Sequence, residues 1–575
     1  MSCSALARNL LPPTALATDG TGCTLLAYSV PYTARMTVCI ETHISRVLLQ
    51  GACAYKLKKP LRLPFLDFST PERRRWFGLE ELRLNRRTAP ELYLGLRPLS
   101  TSWEVFAADP EAALHASAEH TALDWVLCMR RFAPEALLAE QARRGCLRPQ
   151  TIDALAAHVA AFHQSLAPLP FAALPQRDSA HWAHECVQAL LAHPALAAPG
   201  RAAVQALGAA LQAQLLLLRP WMQARAAAGM VRECHGDLHL GNLIEWEGEV
   251  RAFDALEFEP DLRALDVLHD AAFAFMDLLQ HQLPALAWRF LNGYLDATGD
   301  FDGVRALRPW AAYRALVRAR VALLGGHSGL GGGRDGCDAN NSNNSNNSDN
   351  SGSNSNSSGN ATALALHASY LACAKTLLAA PAPPGVWLLM GLSGSGKSTA
   401  ARLLRDALAQ QGRAALCLRS DVERKRLLGV AATARPSAAQ QAQWYHPDTT
   451  QRTYARLQQA AQQLLQAGCS VLIDAACLRR HEREAWRALA AQQQVPFQLW
   501  HCSASPELAQ RRMAARQADN RDPSDADAAV LALQHGFFEP LEASEQAGLR
   551  CLHNDGDLQA LEAQVRAALL EENAS

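Results

Sequence analysis

The 575-residue sequence predicts a multidomain chain of mixed class, with an α+β first half and an α/β second half built on a parallel sheet. Three observations carry that prediction. Residues 340–360 contain only Asn, Ser, Gly and Asp and divide the chain in two. Before them, residues 30–100 alternate short β-type runs with a charged helical stretch, and residues 110–230 read almost wholly as Ala/Leu-rich amphipathic helix. After them, the apolar run GVWLLM passes straight into a Gly-rich turn and then a helical pattern.

Composition sets the outer limits. Hydrophobic residues make up 49% and charged residues 19%, enough apolar surface to bury large cores. Lys plus Arg and Asp plus Glu are both 55, and aromatic residues are only 6%, so nothing predicts a nucleic-acid or anionic-membrane partner. The fifteen cysteines are an odd number without a CxxC pair, which points away from a disulfide framework or zinc site and toward a reducing cytoplasm. No uninterrupted run reaches the roughly 20 apolar residues a spanning helix needs, so no membrane segment is expected.

These patterns divide the chain into an irregular tail (1–28), a first domain (29–330), a disordered Asn/Ser/Gly linker (331–360), a connecting helix with a Pro-rich hinge (361–383) and a second domain (384–575). A flexible linker of about thirty residues reaches on the order of 30 Å, enough for the halves to move apart.

In the first domain, VLLQGACAYK reads as a β-hairpin that places Lys56, or alternatively Lys58 on the same face, where a lysine can grip nucleotide phosphates. The charged helix PERRRWFGLEELRLNRR then offers Glu80 or Glu81 as an ion-pair partner. Glu81 is favoured because it shares a face with Phe77, Leu84 and Asn85. HGDLHLGN sets His235, Asp237 and Asn242 at HxDxxxxN spacing, in which the Asp serves an acceptor hydroxyl and the Asn holds magnesium. A short hairpin, LIEWEGEVRAF, then returns Asp254 as a second metal ligand.

In the second domain, GLSGSGKST follows the strand Val386–Met390 and precedes a helix, the context a phosphate-binding loop requires. Gly391, Ser393, Gly394, Ser395 and Gly396 form the loop that turns its N–H groups inward, and Lys397 reaches the terminal phosphates. Ser398 ligates Mg²⁺, and Thr399 completes the nucleotide-binding set ahead of the helix. The apolar strand from Ser470 ends at Asp474, suited to the magnesium shell. A further strand runs into RSDVERKR, so Asp421 stands where it can accept a proton from a substrate hydroxyl or cap a helix, with Arg424 placed to hold an anionic group. Arg511, Arg512 and Arg516 share a predicted helix able to close over a triphosphate, with Arg512 and Arg516 the favoured pair.

On these strings, residues 385–575 resemble the small P-loop kinases, a group that includes gluconate kinase, chloramphenicol phosphotransferase and the polynucleotide 5′-kinase domain. Residues 30–325 resemble the aminoglycoside phosphotransferase branch of the bilobal protein-kinase-like fold, through HGDLHLGN, FDALEF and the downstream Asp266 and Asp270. The pairing is similar to a bacterial two-domain family that joins the two. The resemblance implies ATP and Mg²⁺ as cofactors, small hydroxylated molecules as acceptors, and phosphoryl transfer as the reaction. One departure stands out: no GxGxxG precedes VLLQG, so clamping by a Gly-rich loop is not expected.

Overall fold

A computed structural model describes residues 38–325 and 354–574, except 43, 64, 65, 520, 521, 527 and 547. The tail 1–28 and linker residues 331–353 lie outside the described residues.

Short strands apolar on both faces build the first sheet, with Leu48, Tyr55, Leu57 and Val126 in one core and Ala54, Leu127 and Met129 in another. β1 (Val38–Glu41), β2 (Ser45–Gln50) and β3 (Cys53–Lys58) form an antiparallel meander. The short hairpin β4 (Arg62–Leu63) and β5 (Leu66–Asp67) leads to the helix Pro71–Asn85, which Thr70 caps by accepting from Arg73 N. β6 (Tyr93–Leu99) and β7 (Asp124–Arg130) complete a five-stranded sheet of order β1-β2-β3-β7-β6. β7 corrects the reading of residues 110–230 as almost wholly helical. DWVLCMR is a short apolar run that periodicity alone does not assign, and burial of Val126 and Leu127 between neighbouring strands settles it as β.

The helical lobe follows, with β8 (Val231–Glu233), the hairpin β9 (Leu243–Trp246) and β10 (Glu249–Ala252), and β11 (Ala264–Asp266), which pairs β8. The helices Val267–Gln280, Pro284–Thr298 and Leu307–Gly325 form its centre. The next helix begins at Asn354, so residues 354–360, read as linker, are helical: propagation back from the Ala/Leu-rich stretch fixes one more bond per residue. That helix, Asn354–Leu378, is no free connector. Tyr370, Ala374 and Leu377 are buried in the lobe, and Arg308 holds the carbonyls of Thr376, Leu377 and Ala379. By length and composition alone, Ala198–Ala227 and Ala361–Leu378 could cross a membrane, and both lay an apolar stripe on this lobe.

The second half has five parallel strands, β12 (Val386–Met390), β13 (Ala415–Arg419), β14 (Ser470–Asp474), β15 (Phe497–Ser503) and β16 (Arg550–His553), in the order β13-β14-β12-β15-β16. The order reverses direction at β12, so the crevice at its carboxyl end is where such a sheet takes a ligand. Period-two burial splits this strand between two cores: Trp387 and Leu389 face Leu404, Trp500 and Val565, while Val386, Leu388 and Met390 join the core of the first half.

The two halves are therefore packed together, which corrects the expectation that they separate freely. The outer strand β13 is covered by the helix Pro284–Thr298. Buried Asn292 donates to Cys417 O (3.2 Å) and accepts from Cys417 N (2.7 Å), supplying the bonds a neighbouring strand would make. Arg426 donates to the carbonyls of Leu295, Asp296 and Ala297, satisfying that helix's C-terminus. Asn292→Ala leaves two buried backbone groups unpaired, so it should lower stability by about 2 kcal/mol. Thermal unfolding of the full chain checks this, and an unchanged midpoint would contradict it.

Candidate active sites

In the first half, the β2–β3 register sets Lys56 and Lys58 on one face of β3, against the helix Pro71–Asn85. Lys56 Nζ lies 2.8 Å from Glu81 Oε1 and 2.6 Å from Asp254 Oδ1. Lys58 Nζ lies 2.6 Å from the other oxygen of Glu81 and pairs with Glu257. The sequence reading treated the lysines as alternatives, yet one buried carboxylate holds both. Burial opposes the charge on Lys56, but Asp254, Glu81 and Glu257 outweigh it and hold the ammonium well above its usual range. Burial also opposes ionisation of Glu81, and the two lysines win, bringing it down to about 2. Burial pushes Glu257 up despite Lys58. Glu80 faces Arg83 and Arg263 instead.

Asp254 adopts a left-handed backbone (φ 59°), costly for a residue other than glycine, and is held there by local bonds. Its N–H donates to the Tyr93 hydroxyl, and Ala255 N donates to Asn85 on the Glu81 helix. The loop 235–242 is stitched to the same place, since Phe253 N donates to Asn242 O and His235 Nε2 lies 3.1 Å from Phe253 O. Asn242 Nδ2 donates to Asp237 Oδ2 at 2.9 Å. Thus Lys56, Asp237, Asn242 and Asp254 converge through a chain of short bonds, and their oxygen donors suit a hard cation such as Mg²⁺. Burial disfavours the Asp237 carboxylate, but His239, Arg318 and His235 outweigh that cost and hold it well below the usual range.

Asp270, fully buried, anchors the loop from behind by accepting from His235 N and Gly236 N. It also meets His163 Nε2 at 3.1 Å. His163, Cys234 and Asp270 stand close enough together to suggest a metal. Their atoms are already engaged: His163 Nδ1 meets the Tyr294 hydroxyl, and Cys234 Sγ meets Leu265 O. Asp266 plays a structural part, capping the helix Val267–Gln280 and pairing Arg225. Arg318, which joins His239 to Tyr370 of the helix after the linker, had no local sequence signal.

In the second half, residues 391–396 wrap the carboxyl end of β12, and Lys397 begins the helix Lys397–Gln410. A Cβ on Gly391 would meet Cys502 O at 2.2 Å, and one on Gly396 (φ 92°) would meet Asn554 Nδ2 at 1.9 Å. Lys397 Nζ is folded onto its own loop, 2.8 Å from Gly391 O and 2.9 Å from Leu392 O, and burial lowers its pKa. Among the described residues, buried Ser395 Oγ, Arg512 Nη1 and Arg516 Nη2 have no hydrogen-bond partner, the condition expected of groups that would receive an anionic ligand. The cradle fits a nucleotide phosphate chain.

The cavity above it, about 1440 Å³, is lined by Ser393, Lys397, Ser398, Thr399, Asp421, Arg424, Asp474, Arg512 and Arg516 together with Tyr445 and Tyr454. That volume exceeds the roughly 300–1,000 Å³ of a single-ligand pocket and leaves room for two reactants. Ser398 and Asp474 present a hydroxyl and a carboxylate suited to magnesium. Asp421 lies in the first turn of the helix Ser420–Leu427, whose N-cap is Arg419, so the capping alternative for Asp421 falls away. It pairs with Arg424 at 3.1 Å, and Arg424 stacks over Tyr445. Arg511 is exposed and is not among the cavity's lining residues. Asn554 was missed: it donates to Ser395 O and accepts from Arg512, tying the loop to the end of β16. In Gly396→Ala the free loop should relax out of this conformation, so restoring the cradle around ADP would cost about 2 kcal/mol and weaken binding by roughly thirtyfold, measurable by equilibrium dialysis. Unchanged affinity would contradict the cradle.

Residues 386–541 match the AAA domain family model. Over 522 residues, 89% of this chain and 92% of the relative, the chain is 27% identical to an uncharacterized protein of Mycobacterium tuberculosis strain H37Rv, and equally to one of Mycobacterium bovis. Among solved structures, similarity extends to the adenylylsulfate (APS) kinase CysC of M. tuberculosis in complex with AMPPNP and APS (24% identity, 33% of this chain, 99% of that chain, TM-score 0.24). It also extends to a choline/ethanolamine kinase family protein of Mesorhizobium loti (12% identity, 59% of this chain, 92% of that chain, TM-score 0.32). The second half is an α/β P-loop domain with a parallel sheet.

Proposed function

We propose that the chain is a fusion of two Mg·ATP-dependent phosphotransferase modules acting on small hydroxylated molecules. The observation that carries this reading is Lys56 set between Glu81 and Asp254, on a chain whose other half presents an open P-loop above Lys397. Bound Mg·ATP would supply the phosphoryl group and neutralise the charge that develops on it.

The protein's own residues do the rest. In the first module Glu81 fixes Lys56 against the phosphates, and Asn242 with Asp254 holds the metal. Asp237 is ionised at neutral pH, so it can orient an acceptor hydroxyl and take its proton. In the second, Lys397 leaves its loop carbonyls for the phosphates, Ser398 and Asp474 hold the metal, and Arg512 and Arg516 close over the chain. Asp421 receives the acceptor proton while Arg424 holds an anionic group.

One observation favours a second reading, in which the first module binds a ligand and the P-loop module hydrolyses ATP as a switch. No glycine stands between β1 and β2 in the sequence, and Thr42 Oγ1 accepts from Ser45 N, so this connection lacks the residues that let a backbone wrap closely over phosphates.

The discriminating experiment uses the full chain, because the halves share a core. With γ-labelled ATP and a pooled metabolite extract, transfer predicts label in small molecules. Asp237→Asn is expected to remove one set of labelled products and leave the other. Free phosphate as the sole labelled product would support switching and overturn the transferase reading.

A further inference from the structure

Arg419 ends β13 at the carboxyl edge of the parallel sheet. Its Nε lies 3.3 Å from Asp474 Oδ2, and its Nη2 lies 3.1 Å from Asp522 Oδ1 and 3.5 Å from Ser398 Oγ. One guanidinium therefore touches both oxygen donors assigned above to magnesium. Asp474 is nearly buried, and a buried carboxylate needs a counter-ion when no metal is present.

Behind this contact is a crevice of about 190 Å³ that both halves line. Ser398, Arg419, Asp474 and Asp522 come from the second half, and Asn292 and Asp296 from the first. Among the described residues, Asp296 makes no ion pair within 4 Å, and burial pushes its carboxyl up to about 7 although Arg419, Arg426 and Arg405 pull the other way, so a closer guanidinium would favour its charged form. Asn292 and Arg426 lock the helix that carries Asp296 against the sheet, so its position is fixed relative to the P-loop.

We propose that Arg419 is the resident counter-ion of the P-loop metal position, and that a divalent cation displaces it toward Asp296 of the first half. The first half thereby takes part in loading the second. A divalent ion and a guanidinium cannot share Ser398 and Asp474 at hydrogen-bond range, because their repulsion there exceeds the cost of a change of arginine rotamer. Asp153 of the crevice pairs with Arg289, and Asp474 and Asp522 pair with Arg419, so among the described residues Asp296 is the lining carboxylate left without an ion pair, and it is the receiver.

The inference rests on Ser398 and Asp474 being the metal ligands, and its test separates the two claims. Mn²⁺ binding to the full chain with ADP is followed by electron paramagnetic resonance, and the class of sites abolished by Asp474→Asn is taken as the P-loop class. In that class Arg419→Gln should bind Mn²⁺ roughly tenfold more tightly than the parent, since the competing charge is gone, and Arg419→Lys should stay near the parent. Asp296→Asn should weaken binding several-fold. If Asp474→Asn abolishes no class, the metal reading itself fails. If that class exists but Arg419→Gln leaves it unchanged or weaker, Arg419 is no displaced counter-ion. If Asp296→Asn has no effect, the first half has no part in loading.

Discussion

Replacing Lys397 with alanine should lower turnover by the second module roughly 10²- to 10³-fold, the loss typical when a group that stabilises transition-state charge is removed. The ammonium is the loop's own cation. It donates to Gly391 O and Leu392 O, carbonyls of the same loop whose N–H groups would hold the phosphates. Burial lowers its pKa, and an anion at the loop would act in the opposite direction, as Asp474 does. Fluorescent-nucleotide binding and product analysis on the full chain check the prediction. Turnover that depends on Asp237 should stay at the parent level, and loss of all chemistry in Lys397→Ala would make the first module a passenger.

The largest stability effect is expected at Glu81. Its side chain is 1% exposed and pairs with both lysines of β3, so Glu81→Gln leaves two buried ammonium groups to share Asp254 and Glu257. Breaking a buried pair of this kind costs about 3 kcal/mol or more, readable by urea denaturation. The pH dependence gives an independent readout. The folded pKa of about 2 lies below the ordinary 4.5, so the stabilisation is present in full above about pH 5 and is lost as the pH falls from 4.5 toward 2. The shift corresponds to roughly 3 kcal/mol, and Glu81→Gln should flatten that acid limb. An unchanged limb would place the acid transition elsewhere.

What could be read from sequence were the sites whose geometry is made by consecutive residues. GLSGSGKST, RSD and HGDLHLGN each carry their own backbone path, and the hairpin after HGDLHLGN returns Asp254 within a dozen residues. Partners from distant segments were not legible. Asn554 reaches Ser395 across 159 positions, Lys58 reaches Glu257 across 199, and neither Asn554 nor Lys58 sits in a motif. Glu257 belongs to FDALEF, yet its lysine is named only by the β2–β3 register. The strand β7 was hidden because a five-residue apolar run, Trp125–Met129, next to Ala/Leu-rich helices has no period of its own. The composition of the linker was plain, but it could not show that Asn292 would pair a strand edge 125 residues away and hold the halves together. Arg419 shows the same limit from the other side. It stands two residues before Asp421, in a string singled out for other reasons, and only the fold brings it onto Ser398 and Asp474.

On the proposed function, each half holds its own Mg·nucleotide. Equilibrium dialysis of the full chain with a non-hydrolysable ATP analogue and Mg²⁺ tests it directly. The account predicts two analogues bound per chain, with Lys56→Ala and Lys397→Ala each leaving one. A single bound analogue in the parent chain, or either substitution removing both, would contradict it.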